Sequence, residues 1–367
     1  MRLNHSAGRK GWLTVALVAF GVMFSAVLMF GYNPFLDNLG TLTSPIPVIA
    51  RWDSMPVTWF LNPLTPSNNV VTPTTSTCST AAACVQQALA NGFSTWTSAQ
   101  VAGQSLTSLT TQYAGSSSLT TPDAKDCQNV IGFSDTSSSD FSTGTIAFTQ
   151  VATVTRTAGT TGSFQYKCSD GTLKTCNYDD CIGDADIEFN PSVNFTTAST
   201  LPANTFSVQS VATHEEGHLL GLDHGGIAHA VMFPFGDSTA AGQQVQLATD
   251  DAVGISFLYP AGNFSTATGV ISGKVTLSGA GVFAAHVVAV DASTGDAVVD
   301  GLTAPDGSYS LVGVPPGTYQ ILALPLAPNS DTGVLTLDNF SGWDCGYADS
   351  GCTTVPQNPT SYTGRYH

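Results

Sequence analysis

Residues 214–224 read His-Glu-Glu-Gly-His-Leu-Leu-Gly-Leu-Asp-His, and no other stretch restricts the chain so tightly. On a helix, residues four apart lie on one face, so His214 and His218 can turn two imidazoles toward one ion. Glu215 follows the first histidine and can reach a water on that ion without ligating it. Gly221 lets the chain leave the helix sharply, at a positive φ that a side chain would resist. That turn brings back His224 as a third ligand. Three neutral imidazoles with one position left open describe a catalytic zinc site, because a structural site is closed by four protein ligands.

The pattern H-E-x-x-H-x-x-G-x-x-H is the metzincin signature. Gly217 inside it, Leu220-Gly221-Leu222-Asp223-His224 at its end and Val231-Met232-Phe233-Pro234 shortly after resemble the matrixins, the matrix-metalloproteinase family. Gly225 departs from that family, which usually has Ser there. The resemblance implies an α+β catalytic domain, a twisted mixed sheet with an active-site helix. It implies a zinc endopeptidase acting on extracellular proteins or peptides. Glu215 would take a proton from the attacking water and return it to the leaving amine. Met232 would form a turn beneath the metal. Substrate would pair backbone to backbone with the strand holding Ile146, Ala147 and Phe148, and Pro234 would also line its site. A competing reading is a cell-surface binding or adhesion protein on a metzincin scaffold with little proteolysis. The intact Glu215 argues against it, since a scaffold has no need of the acid.

One catalytic Zn2+ is expected, and Ca2+ is a candidate. Asp170, Asp179, Asp180, Asp184, Asp186 and Glu188 crowd the segment before the motif and offer hard oxygen ligands, although their spacing matches no defined calcium loop. None of the seven histidines lies between residues 51 and 213, so the second, structural zinc of vertebrate matrixins is not expected.

With 10 Lys+Arg against 26 Asp+Glu, a net charge of −16, the chain has no basic patch for a phosphate backbone, and no nucleic-acid partner is expected. Arg2, Arg9 and Lys10 precede an uncharged stretch, residues 11–31. A basic flank before such a stretch marks a signal peptide or signal anchor. The bulky Leu28-Met29-Phe30 at its end favour an uncleaved anchor, with the remainder outside the cell. Eight cysteines in an exported chain point to disulfides. Two local pairs suggest themselves: Cys168 with Cys176 across a turn, and Cys345 with Cys352.

The expected organisation is a basic flank (1–10), the apolar segment (11–31), a linker (32–50), the catalytic domain (51–261), a β-sandwich (266–327) and a cysteine-containing tail (328–367). No cysteine precedes Cys78 to cap the zinc as in a matrixin zymogen, so that route to latency is not expected. Residues 51–61, 130–133 and 144–150 read as strands, and the resemblance implies that the last of them edges the cleft. Val85, Leu89, Phe93 and Trp96 form the core-facing stripe of a helix over 79–100. Ser207 is the expected N-cap of the active-site helix, with Val208, Val211 and Ala212 on its apolar back. By the matrixin resemblance residues 236–246 would form the specificity loop, and Asp250 is the expected cap of a closing helix over 249–259. After Gly269 the pattern alternates, with strands expected at 270–277, 286–291, 309–312 and 319–324. Asp306-Gly307-Ser308-Tyr309 with Val314-Pro315-Pro316-Gly317 resembles the carboxypeptidase regulatory-like, transthyretin-like module. No catalytic constellation is visible there, and His286 reads as structural.

Overall fold

The structure, a computed structural model, describes residues 32–40, 47–62, 70–71, 78–119, 123, 125–133, 141, 144–156, 161–236, 238–239, 244–328, 334–340, 342, 345–348, 356, 358–360 and 362–366. The apolar stretch 11–31 and Cys352 lie outside these residues, as do residues 134–140 and part of the expected specificity loop. Among the described residues no helix is long and apolar enough to cross a membrane.

A short hairpin opens the described chain, with β1 (Leu36–Asn38) antiparallel to β2 (Pro47–Ile49). A five-stranded sheet follows, built from β3 (Val57–Leu61), β4 (Thr111–Ser116), β5 (Val130–Phe133), β6 (Ala147–Val154) and β7 (Cys181–Phe189). Its order is β4-β3-β5-β7-β6, parallel throughout except for β6 against β7. β6 is therefore an edge strand. It begins at Ala147 and runs past the expected end at Gln150; Ile146 immediately precedes it and accepts a hydrogen bond from the Asn190 amide (2.9 Å).

Behind the sheet, α1 (Ala81–Thr97) packs against α2 (Val208–Leu219). Thr80 caps α1 through its hydroxyl, and the stripe of Val85, Leu89, Phe93 and Trp96 is buried as its spacing predicts. The Trp59 ring stacks on Phe93 at 5.0 Å, tying helix to sheet. Ser207 caps α2, accepting from the Ser210 amide. Beyond the Met232 turn comes α3 (Thr249–Leu258). Here the expected cap is corrected. Asp250 does not bond the free amides of the first turn, whereas Asp251 accepts from the Ala248 amide at 2.8 Å. One residue along a helix is a rotation of about 100°, which turns Asp250 toward a different partner.

The chain then forms β8 (Gly269–Lys274), β9 (His286–Asp291), β10 (Ala297–Leu302), β11 (Ser308–Val314) and β12 (Tyr319–Leu324). β8 pairs with β11, while β10-β9-β12 make a second sheet that Arg365–Tyr366 extends. β10 was not expected from sequence. Its Asp300 is fully buried, accepting from the Gly226 amide (2.8 Å) and bonding the His286 ring, while its own amide donates to Asp250 (2.9 Å). This cluster joins the later strands to the loop just past His224. It leaves no space at residue 226, where a Cβ would collide with His286 and Asp300. The apolar core is likewise continuous, from Trp59 and Phe93 through Val253 to Val287 and Leu311.

The disulfides differ from the local guess. Cys168 bonds Cys127 and Cys176 bonds Cys181, so Cys168 and Cys176 do not pair, although their hairpin does form. Cys78 bonds Cys84, and Cys345 is also disulfide-bonded.

Candidate metal centre

Twelve residues of α2 carry His214 and His218 on one face, and Gly221 ends the helix at φ +101°. A side chain at 221 would press on the Ala50 carbonyl, so the exit requires glycine. The exit swings His224 back onto the same point. The ligand atoms of His214, His218 and His224 lie within 4.8 Å of one another, and all three residues are buried. Among the described residues this is the single grouping of three or more His, Cys, Asp or Glu in such geometry.

The rings are oriented by main-chain carbonyls. His214 Nδ1 bonds Val231 O at 2.6 Å and His218 Nδ1 bonds Leu222 O at 2.7 Å. His224 Nδ1 bonds Asn339 O, in the tail. A carbonyl can only accept, so each Nδ1 carries the proton and each Nε2 presents a lone pair. His214 Nε2 and His218 Nε2 are 3.0 Å apart. Two lone pairs held that close repel unless a cation lies between them. The donor set therefore fits a divalent metal, with each ring braced by a carbonyl as is usual for metal-binding histidines.

Residues 134–260 match the matrixin family model. That is less than half of the chain. Over 60 residues it is 47% identical to Metalloendoproteinase 5-MMP of Arabidopsis thaliana, covering 16% of each protein. It is 44% identical over 62 residues to Metalloendoproteinase 2-MMP of the same plant, covering 17% of this chain and 16% of that protein. To Metalloendoproteinase 1 of Glycine max it is 40% identical over 79 residues, 22% of this chain and 25% of that protein. The chain thus spans a quarter or less of the length of these relatives.

Within the matrixin region Glu215 is fully buried and turned toward β6. Its Oε2 accepts from the Thr149 hydroxyl at 2.7 Å, while Oε1 has no hydrogen-bond partner. Burial pushes its pKa up to about 8, and the Thr149 bond opposes that rise. Met232 packs beneath the helix, where any side chain at Gly217 would collide with its sulfur and with Trp96. Asp251 holds the Met232 turn, accepting from the Val231 (2.8 Å) and Met232 (3.0 Å) amides. Ile146 and Ala147 are buried and Phe148 is half-buried, with Phe148 5.1 Å from Phe141. Ile146 also lies near Gly236, past the buried Pro234, so the edge strand and the start of the post-Met232 loop meet.

Sequence reasoning missed Thr149, Asp251 and Asn339. Thr149 had a signal, since its place two residues after Ala147 on a strand puts both on one face. The other two had none, because each reaches its partner across a fold. In the acidic segment, Asp186 accepts from the Val130 (2.7 Å) and Asp123 (3.0 Å) amides, and Asp184 accepts from the Cys127 amide (2.9 Å).

Proposed function

We propose that this chain is a zinc-dependent endopeptidase acting on extracellular proteins or peptides. The observation that carries the reading is the Nε2 pair of His214 and His218, 3.0 Å apart with both Nδ1 atoms committed to carbonyls. His214, His218 and His224 would hold the ion. Bound zinc supplies Lewis acidity, which makes water more acidic and a peptide carbonyl more electrophilic.

The chain's own residues do the rest. Glu215 is the general base; a bound cation would oppose the upward push of burial and favour the carboxylate form that accepts a proton. Thr149 occupies one carboxylate oxygen and leaves Oε1 to accept the proton of the attacking water. The same oxygen then hands that proton to the leaving amine. Full burial keeps bulk water from competing for the site. Met232 shapes the floor and does no chemistry. The edge of β6, with Ile146, Ala147 and Phe148, binds the substrate as an added strand, and Pro234 lies on the path into the specificity loop. The names of the plant relatives, all metalloendoproteinases, support the same reaction class. In this reading the strands after Gly269 form a transthyretin-like module that serves as a spacer or binding unit.

The test is zinc content and cleavage of a mixed peptide library by the full chain, beside Glu215→Ala. The wild type should hold about one zinc and cleave, and the variant should hold zinc and not cleave. A folded wild type that takes up no zinc would sink the proposal.

A further inference from the structure

We infer that the C-terminal tail is a working part of the metal centre, with Asn339 as the residue that positions His224. The inference rests on the zinc reading of the histidine triad.

Two of the three imidazoles find their carbonyls close by in sequence, at Val231 and Leu222. The third does not. His224 Nδ1 is met by Asn339 O, 115 residues further on and beyond all of the strands β8 to β12. A carbonyl at Nδ1 fixes the tautomer that leaves Nε2 free to bind a metal, and it stops the ring from rotating away. One third of the ligand set is therefore oriented from outside the matrixin region.

The carbonyl is aimed by its own residue. Asn339 lies in a 3-10 turn, residues 337–340. Its side-chain Oδ1 accepts from the Thr336 amide (2.8 Å) and hydroxyl (3.3 Å), while its amide donates back to Thr336 O (3.1 Å). The side chain clasps the turn, and the clasp sets where the carbonyl points. Asn339 is only 6% exposed, so its N-x-S sequon leaves no room for a glycan in the folded protein. Next to it, Phe340 is fully buried in an apolar cluster with Leu36, Phe283 and Tyr347.

The N-terminal segment braces the same histidine from its backbone side. Asn33 Nδ2 donates to His224 O at 2.9 Å, and Asn33 O accepts from the Asp223 amide at 2.7 Å. The two braces are joined, because Leu36 and Phe340 share one apolar cluster and Asn38 donates to Ala348 O at 2.7 Å. Tail and N-terminal segment thus form one wall behind His224.

The experiment uses the full chain. Zinc affinity is measured by competition with a chromophoric chelator for the wild type, Asn339→Ala and Leu311→Ala. The last removes a core leucine of the adjoining strands, outside the tail's cluster, and matches the loss of stability. Asn339→Ala should weaken zinc binding about 10- to 100-fold, as loss of a metal-ligand brace does. Leu311→Ala should lower the melting temperature and keep wild-type zinc affinity. Coupling is reciprocal, so zinc added to the wild type should slow amide hydrogen exchange across residues 336–340. That arm needs no variant to fold. The inference is overturned if Asn339→Ala binds zinc as tightly as wild type, if Leu311→Ala weakens it equally, or if exchange in the tail is indifferent to zinc. A wild type that takes up no zinc would instead bring down the metal-centre reading itself.

Discussion

Glu215 and Glu216 are neighbours on one helix, both fully buried, and their surroundings have little in common. Glu215 is turned toward β6 and receives the Thr149 hydroxyl. Glu216 faces α1, packed so closely on Gly92 that a Cβ there would collide with its carboxylate, and neither of its oxygens has a hydrogen-bond partner. Burial raises both pKa values. For Glu215 the Thr149 bond holds the rise to about 8, and for Glu216 nothing opposes it. The contrast recurs on β7. Asp186, with an amide on each carboxylate oxygen, is pushed up to about 7, whereas Asp184, raised by burial and then by the neighbouring Asp186 and Asp126 carboxylates, goes to about 9. In each pair burial supplies the upward push, and the donors and neighbouring charges around each carboxyl set where it ends.

The most severe way to break the comparison is to make one substitution at both positions. Glu215→Gln should lower kcat about 10²- to 10⁴-fold with zinc still bound, the usual worth of a general base. Glu216→Gln should leave kcat near wild type. Equal losses in a kcat assay would mean that the two carboxylates are not functionally distinct.

Stability should move the other way. A carboxyl buried without a partner costs about 1–3 kcal/mol, so Glu216→Leu, apolar and of similar size, should stabilise the fold by that order at pH 7. Urea unfolding reads it directly, and a destabilised variant would show that Glu216 has a compensating role.

Asp184 gives the comparison a pH axis. Its folded pKa of about 9 lies far above the unfolded 3.8, so between those values the folded state keeps a proton that the unfolded chain releases. Stability contributed by this group is therefore complete below about pH 4 and drains away as pH rises toward 9. Asp184→Asn should remove that decline, gaining on the order of 1–3 kcal/mol at pH 8 and converging on wild type at pH 4. Denaturant midpoints taken across the range would expose a flat difference, which is the outcome that contradicts the argument.

How much of this was legible beforehand follows from the range over which each interaction acts. His214, His218 and the positive φ of Gly221 follow from helical spacing and the glycine code, both local. The stripe of α1 and the cap at Ser207 are local too, and the structure has them where the spacing put them. Partners chosen across the fold were not legible. Cys168 bonds Cys127 across 41 residues, passing over Cys176 nearby. Asp250 and Asp251 are equivalent as letters, and only the position of Val231 and Asp300 assigns one to the Met232 turn and the other to the later strands. β10 escaped notice because Asp300-Gly301 breaks its apolar alternation. The structure buries Asp300 by meeting its carboxylate with His286 and the Gly226 amide.

Thr149 offers the mildest test, because it alters the partner and leaves both glutamates in place. Thr149→Val keeps the shape and removes the hydroxyl. The lost bond is worth about 1–1.5 kcal/mol, hence roughly a tenfold fall in kcat, with zinc content unchanged. Thr149→Ser restores the donor and should recover most of the rate. If Val and Ser behave alike, the hydroxyl does not prepare Glu215, and position on the helix alone separates it from Glu216. If only Ser recovers, the working carboxylate is defined by its partner, a strand residue 66 positions earlier in the chain.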